Sequence, residues 1–485
     1  MYSYHIFYFP FKWELPGLTS ELFSKQVDLK KIVCQVSGNW EAGNAMDNDQ
    51  EAEDLYNEKN YYYEFVHPVL YDENKPDTII KHFERKEPKS SDVYYKIKKK
   101  GGKEYSLRVE SINLNFYSTG IGTLSFYLLN DLEYQKSLQD ILDINQYGRR
   151  ILPPFIADID FVKGRSEIAE YIEIEGLNND NALYWEDFEG YTSADVWKPA
   201  CFIRQLINDL GTELNISPVI DDRMFVACWY GNNALSREVS EIQPGKEFWE
   251  SDEWYKYVFI DQNSPSCQNL EMKKRLLNQT TYKRWQNYGT LYGVSRYSLV
   301  ALTDESDFSK KCLAVYLRTI YARMAELILV QRGSMLRFSG EVSRLSRLSE
   351  TDSVKLARQI SSLYKEYIRF VNQIYFREVT AQEQGIELYD LLHTNLKIND
   401  NIKDLNGEIE ELHQYFSLIV EGHRSNQAAT LNKLATIFLP ATIITGIWGM
   451  NRSSEVFGDI GFIIPLVLIL LGIGVTLYYF IYKKR

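Results

Sequence analysis

The first 305 residues alternate short apolar runs with polar loops. Seven of these runs are rich in Val, Ile, Tyr and Phe and have the length of β-strands. They cover residues 3–9, 93–97, 105–116, 123–129, 224–229, 255–260 and 297–302. Glycine-containing segments at 98–103 and 118–122 predict hairpin turns, and apolar residues recurring every three or four positions predict a helix at 138–144. The pattern predicts an α+β domain over residues 1–305.

The pattern becomes helical after Asp307 and stays so. Long amphipathic helices are predicted at 308–339 and 352–377, and a shorter one at 382–396. A regular heptad seam follows, with apolar residues alternately four and three positions apart. Its members are Ile398, Ile402, Leu405, Ile409, Leu412, Phe416 and Ile419. We expect a helical region over 306–430 that includes a long stalk helix. No break separates this stalk from the apolar stretch that follows it, so 399–448 can form one helix about 75 Å long at about 1.5 Å per residue.

Two stretches near the C-terminus lack charged side chains, namely residues 434–450 and 460–482. A helix that crosses a bilayer needs about 20 apolar residues. The sequence therefore predicts transmembrane helices at 431–451 and 460–482, joined by an extracytoplasmic loop at 452–459. The second ends in an aromatic group and the basic tail 483–485, which belongs in the cytoplasm. Two crossings return the chain to its starting side, so we expect both termini to be cytoplasmic in a protein that spans a membrane twice.

Composition excludes several classes of function. A net charge of −12 argues against a basic nucleic-acid-binding surface, and five scattered cysteines fit a reducing compartment without disulfides or a zinc site. The N-terminus has neither the basic nor the apolar region of a signal peptide. Phosphate-loop and zinc-protease motifs are absent from the sequence, and its six histidines lie far apart. We expect no enzymatic activity.

Small and polar residues follow one face of the first predicted span. Their spacing places Ala435, Leu439, Thr442 and Gly446 on this face, and Ser425, Ala428 and Leu431 continue it towards the N-terminus. Copies of this face around an axis would supply hydroxyls, backbone and apolar rings to a pore. Close packing between helices also selects small residues, and the periodicity favours neither interpretation.

The segment 432–451 resembles the first span of the CorA family of magnesium and cobalt transporters. It contains Phe-Leu-Pro and Thr-Gly, and it ends in Gly449-Met450-Asn451 directly after Trp448. The resemblance implies a funnel-shaped homopentamer whose long stalk helix lines the pore. It also implies that a ring of Asn451 carbonyl oxygens holds hydrated Mg²⁺, with Co²⁺ or Ni²⁺ as further cargo.

The same resemblance assigns levels to the pore face. Leu431 and Leu439 match positions that form apolar constrictions in the family, while Thr442 and Gly446 match polar or backbone-lined levels. The loop after Asn451 departs from the family pattern. It begins with Arg452, where the family commonly has an aromatic or small residue followed by an acidic loop.

The N-terminal part is longer than in typical CorA proteins and resembles the CorA-type membrane proteins of type III CRISPR systems. That resemblance implies gating by a nucleotide messenger, S-adenosylmethionine joined to AMP (SAM-AMP), in antiviral defence. Phosphate groups need cationic or N–H donors, and Arg149 and Arg150 at a predicted helix end are candidates. A helix cap or an intersubunit salt bridge is the alternative for this pair. Asp222 and Arg223, before a predicted strand, form a second candidate site.

Acidic residues on the predicted stalk offer a further site. Asp404, Glu408 and Glu411 could bind regulatory Mg²⁺ between subunits, as acidic interfaces do in the family, or form only the solvated face of the helix. Three functions follow from the sequence: a divalent-cation channel or transporter gated by its cytosolic domain, a ligand-gated effector channel, and a membrane-tethered oligomeric scaffold.

Overall fold

The structure is a computed structural model of the chain. It describes residues 1–17, 23–32, 39–42, 57–71, 78–86, 92–152, 169–177, 184–188, 198–240, 247–347 and 353–450, with positions 467, 471, 472 and 474. Among these, the side chains at 353, 354, 423, 437, 440, 441 and 444–450 are not described.

Thirteen strands form one sheet within the described residues. They are β1 Ser3–Glu14, β2 Trp40–Ala42, β3 Ile80–Arg85, β4 Tyr94–Lys99, β5 Glu104–Tyr117, β6 Ile121–Asn130, β7 Ala169–Glu175, β8 Trp185–Asp187, β9 Asn215–Pro218, β10 Phe225–Gly231, β11 Thr281–Tyr282, β12 Leu291–Val294 and β13 Ser298–Thr303. The order along the sheet is β11-β12-β13-β10-β1-β6-β5-β4-β7-β8, with β3 also on β5, β2 on β3, and β9 on β1. Strands β10 and β13 pair in parallel.

The described α-helices lie between the strands of this sheet in the sequence and after the last of them. They are α1 Phe23–Gln26, α2 His67–Leu70, α3 Leu138–Gly148, α4 Cys201–Asn208, α5 Asn233–Val239, α6 Asp252–Phe259, α7 Leu270–Thr280, α8 Ala322–Ser346, α9 Ser353–Gln373, α10 Glu383–Asn395 and α11 Ile398–Met450. Two π-helical turns, Ser309–Leu313 and Leu317–Tyr321, flank the short helix Ala314–Tyr316 and lead into α8. The expected α+β part followed by long C-terminal helices is confirmed.

One strand prediction is wrong: residues 255–260 belong mainly to helix α6. The side chain of Ser251 caps the helix by accepting the amide N–H of Trp254, and two acidic residues occupy the first turn. Trp254, Tyr257 and Val258 are buried, which is a helical spacing of three and four. Because Ile260 ends the helix in the left-handed conformation, at φ 53°, no strand continues from it.

Strand β1 is the centre of the core, with helices on both faces of the sheet. The ring of His5 lies 2.7 Å from the Asn145 side chain on α3. On the opposite face, the Tyr8 hydroxyl donates to the carbonyl of Ala322 in α8 at 3.0 Å. Odd and even strand residues point to opposite faces, so α3 and α8 cover different sides of the sheet.

The predicted turn at 118–122 joins β5 to β6 and is confirmed. Gly120 adopts φ +76°, a conformation that side chains with a Cβ rarely take. The buried Arg337 of α8 donates from Nη1 to the carbonyl oxygens of Gly120 and Trp13, at 2.7 and 2.9 Å. This arginine therefore attaches α8 to the hairpin. The other predicted turn, at 98–103, is the β4–β5 hairpin.

The chain divides into two compact units. The first contains Met1–Arg347 and Ser361–Ile409, and the second contains Leu348–Ile360 and Glu410–Arg485. Within the first unit, His393 of α10 lies 3.2 Å from the Asn399 side chain at the start of α11. Lys397 between these helices adopts φ 60°, which turns the chain between them.

Helix α11 has 53 residues, so the predicted continuous stalk helix is confirmed. Its heptad residues Ile398, Leu405, Ile409 and Phe416 are buried. Within the described residues, no helix combines the length and apolarity needed to cross a membrane. The predicted span 431–451 overlaps α11 up to Met450, whereas 460–482 falls outside the described residues except at four positions.

Candidate functional site

The predicted pore face lies on the C-terminal half of α11. All six of its described side chains are exposed: Ser425, Ala428, Leu431, Ala435, Leu439 and Thr442. Large apolar residues on other faces, such as Phe438 and Ile443, are also more than half exposed. Exposure therefore does not single out one face. The C-terminal half of α11 thus carries a long, exposed apolar surface. Surfaces of this kind are typical of regions that contact lipid or another protein chain.

Threonine hydroxyls on this helix are satisfied by its own backbone. Thr436 donates to the carbonyl of Asn432 at 2.7 Å, and Thr442 donates to that of Leu439 at 2.9 Å. Pro440 has no N–H, which removes the helical donor to the carbonyl of Thr436. Hydroxyls bonded in this way enter apolar surroundings without an unpaired donor.

The entrance motif is only partly described. The backbone of α11 includes Gly446, Gly449 and Met450, whose surroundings are not described, and Asn451 lies outside the described residues. The entrance residues stay a prediction.

The candidate regulatory residues Asp404, Glu408 and Glu411 are all exposed on α11. They are spaced at i, i+4 and i+7, which places them on one helix face. In the part of a single chain that the structure describes, no three or more His, Cys, Asp or Glu side chains come close enough to hold a metal ion.

The two candidate phosphate sites of the N-terminal part come together. Arg149 is the C-cap of α3, and its carbonyl accepts the amide N–H of Met224 at 2.7 Å. The next residue, Arg150, pairs antiparallel with Arg223 in an isolated β-bridge. The end of α3 and the segment before β10 thus form one structure. The alternative prediction that Arg149 caps the end of a helix is confirmed for its backbone, which occupies the C-cap position of α3.

One carboxylate joins two of these arginines. Asp222 lies 3.2 Å from Nη1 of Arg150 and 3.3 Å from Nε of Arg223. Burial lowers the pKa of Arg150 because it removes the charged guanidinium from water. The neighbouring carboxylate of Asp221 has a raised pKa, caused by burial and then by the hydrogen bond to Asp222.

Arg149 is buried, with 2% of the residue exposed. Its Nη2 donates to the Gln146 side chain at 2.8 Å, whereas Nε and Nη1 are buried and find no hydrogen-bond partner in the described residues. Burial, followed by the positive charge of Arg223, lowers the pKa of Arg149 to about 9. Buried polar groups are nearly always hydrogen-bonded, so these two donors of Arg149 could each accommodate a further acceptor.

Three further residues belong to this site and were not identified from the sequence. The ring centre of Tyr297 lies 5.7 Å from the guanidinium carbons of both Arg149 and Arg223. Arg296 lines the adjoining pocket, and the positive charge of Arg296 helps to lower the pKa of Arg332 on α8, after burial. The only sequence signal for these residues is the Arg-Tyr pair directly before β13. Because β13 runs parallel to β10, this pair lies at the same end of the sheet as Arg223.

A comparison with protein-family models finds a match for the C-terminal part of this chain. Residues 301–485 match the model of a family described as CorA-like Mg²⁺ transporter protein. No curated protein matches the chain. The matched region begins in β13 and contains every helix from α8 to α11. The C-terminal region of this chain, residues 301–485, is thus similar to CorA-like Mg²⁺ transporter proteins.

Proposed function

We propose that the protein is a divalent-cation channel or transporter of the bacterial inner membrane, gated by its cytosolic N-terminal domain. The observation that carries this proposal is the 53-residue helix α11 within the CorA-like region, with its long exposed apolar surface. A helix continuing from a folded domain into a membrane transmits movement along its length. The cargo is Mg²⁺, with Co²⁺ and Ni²⁺ as further candidates.

In this proposal five copies surround one axis and residues 431–451 of each line the path. Asn451 holds a hydrated ion at the outer entrance, since Mg²⁺ sheds water reluctantly. Leu431 and Leu439 form apolar constrictions that close the path by excluding water. Residues 460–482 form the second span, and both termini lie in the cytoplasm.

Asp404, Glu408 and Glu411 supply regulatory Mg²⁺ ligands between copies in the same proposal. Carboxylate oxygens are ligands that Mg²⁺ prefers, and a shared ion would hold adjacent stalks together. High cytosolic Mg²⁺ would then favour the closed state, since an ion that binds one state more tightly shifts the population towards it.

Growth rescue tests the transport function. Cells that lack their own magnesium transporters should grow at low magnesium when they express this chain, and Asn451→Ala should abolish the rescue. Asn406→Ala is the control because Asn406 is an exposed asparagine on the same helix, outside the proposed spans. Failure of the wild-type chain to restore growth, when it is present in the membrane fraction, counts against magnesium transport.

A second candidate function is a ligand-triggered pore, as in the accessory effectors of type III CRISPR systems. The convergence of Arg149, Arg150, Asp222 and Arg223 into one site favours it. Proteoliposomes containing the chain should release ions only after a nucleotide messenger such as SAM-AMP is added. Release that is constant with and without messenger argues for the transporter, whereas absence of release in every condition leaves only the scaffold.

A further inference from the structure

Among the described residues around Tyr297, positive charge exceeds negative charge. Five guanidinium groups and two carboxylates act on one another there, and we call this set the arginine cluster. Its members are Arg149, Arg150, Asp221, Asp222, Arg223, Arg296 and Arg332. The local excess of three positive charges contrasts with a net charge of −12 for the whole chain.

Counter-charges within the described residues reach only part of the cluster. Asp222 pairs with Arg150 and Arg223, but the side chains of Arg296 and Arg332 form no ion pair or hydrogen bond with any described residue. Nε and Nη1 of the buried Arg149 are also unpaired. A buried charge without a partner is strongly unfavourable, so the buried Arg149 would be stabilised by a negatively charged group nearby, while Arg332 is half-buried and Arg296 is exposed to an incoming ligand.

A pocket lies at the end of the sheet where the parallel strands β10 and β13 begin. Its polar lining comes from Asp221, Arg223, Arg296 and Tyr297, while Pro10 and Leu329 supply apolar walls. Arg332 follows Leu329 by three residues on α8 and so lies on the same helix face. Because Asp221 shares the pocket, the guanidinium groups must bind an anion strongly enough to overcome its repulsion.

We propose that the arginine cluster binds a small phosphate-bearing anion in this pocket, contacted by Arg223 and Arg296 and compensated by Arg149 and Arg332. Planar guanidinium groups match the oxygens of a phosphate with paired hydrogen bonds. A phosphate group carries up to two negative charges near neutral pH, whereas a carboxylate carries one. The excess of positive charge therefore fits phosphate better.

The ligand would join elements from both parts of the chain. Arg149 follows α3, Arg223 and Arg296 precede the parallel strands, and Arg332 lies on α8 within the CorA-like region. An anion held among them stabilises the arrangement of α8 on the sheet. The effect of the ligand on gating rests on the proposed ligand-triggered pore. Binding of the anion to the arginine cluster does not depend on ion flux and is tested separately.

Binding is tested on the full chain in detergent micelles by calorimetry and thermal unfolding, with inorganic phosphate, AMP and adenosine as probes. Phosphate or AMP should raise the unfolding temperature and adenosine should not. Arg296→Ala should weaken binding about tenfold or more, because it removes a charge-assisted contact, and Arg332→Ala should also weaken it, because it removes a nearby positive charge. The control is Arg237→Ala, an exposed arginine on α5, which should bind as the wild type does.

The two probe arms identify the source of the phosphate. Equal affinity for phosphate and AMP assigns the site to free phosphate, and tighter binding of AMP assigns it to a nucleotide. No response to either probe up to about 10 mM, weaker than any ordinary ligand site, overturns the proposal. The proposal is also overturned if Arg237→Ala weakens binding as much as Arg296→Ala and Arg332→Ala do.

The proposed anion site and the proposed ligand-triggered pore can be overturned independently of each other. Phosphate binding that depends on Arg296 and Arg332 without any change in ion release leaves the site intact and removes the ligand-triggered pore. Ligand-triggered release that is unaffected in both variants retains the pore and overturns the arginine cluster as its site.

Discussion

The amide N–H of Met224 donates a 2.7 Å hydrogen bond to the carbonyl of Arg149. This bond joins the end of α3 to the start of β10, two segments far apart in the sequence. Together with the bridge between Arg150 and Arg223, it turns two separate candidate sites into one cluster of charges. The local backbone pairing therefore decides which charges meet.

Gly120→Ala should destabilise the fold far more than Gly101→Ala. Both glycines have positive φ, at +76° and +60°, which costs roughly 1–2 kcal/mol for other residues. A Cβ at Gly120 would also lie 2.0 Å from Nη1 of Arg337, whereas nothing lies within 4 Å at Gly101. We expect a loss of about 1 kcal/mol for Gly101→Ala and about 3 kcal/mol or more for Gly120→Ala. Urea unfolding of the full chain measures both, and equal losses would contradict the account.

Mild acid should destabilise the first unit through two histidines. Burial lowers the pKa of His5 and of His393 to about 4 in the folded chain, below the ordinary value of 6.5. The unfolded chain therefore takes up protons first as the pH falls below about 6.5, and stability decreases until the pH reaches about 4. Each histidine should cost about 1 kcal/mol between about pH 7.5 and pH 5.5.

Chemical unfolding at the two pH values checks this loss. His393→Gln should remove about half of the histidine contribution to the pH dependence. If the variant shows the same pH dependence as the wild type, the buried neutral His393 is not responsible.

Leu439→Ser should make closed channels leak, and Phe438→Ser should not. The two side chains are equally exposed, at 59% and 60%, and are adjacent on α11. Successive helix residues point about 100° apart, so only Leu439 falls on the proposed pore face. Basal ion release from proteoliposomes measures the leak. A leak from Phe438→Ser alone would assign the pore to a different face.

Magnesium should stabilise the assembled protein through the acidic stalk residues. The triple variant Asp404→Asn, Glu408→Gln, Glu411→Gln should lose the rise in unfolding temperature that Mg²⁺ gives the wild type. Glu410→Gln with Glu421→Gln is the control, since both residues are exposed carboxylates on the same helix. An Mg²⁺ response retained in the triple variant would leave these residues as a solvated face only.

The fold was predictable where local pattern and burial agree. Residues 3–9 and 123–129 lie in strands because their β-rich composition suits a buried central sheet. A strand was wrongly predicted for residues 255–260 because their aromatic side chains suit a strand as well as a helix. The helix there is favoured by its cap, Ser251, which lies outside that segment. Tertiary and capping interactions decide such ambiguous runs.

The arginine cluster was predictable in part. Paired arginines after a helix indicate a candidate, but Arg296 and Arg332 join only through the parallel pairing of β10 and β13 and the position of α8. Such nonlocal pairings leave no periodic signal in the sequence. The proposed entrance motif 449–451 is the opposite case, since its residues are consecutive and its resemblance to a family motif can be seen without a structure.

Magnesium entry into liposomes containing the full chain, followed by an enclosed fluorescent indicator, tests the central claim most directly. The account predicts Mg²⁺ entry through the wild-type protein under at least one state, with or without added nucleotide, and its loss in Asn451→Ala but not in Asn406→Ala. Equal entry through the wild type and Asn451→Ala, or none through the wild type in either state, would contradict it.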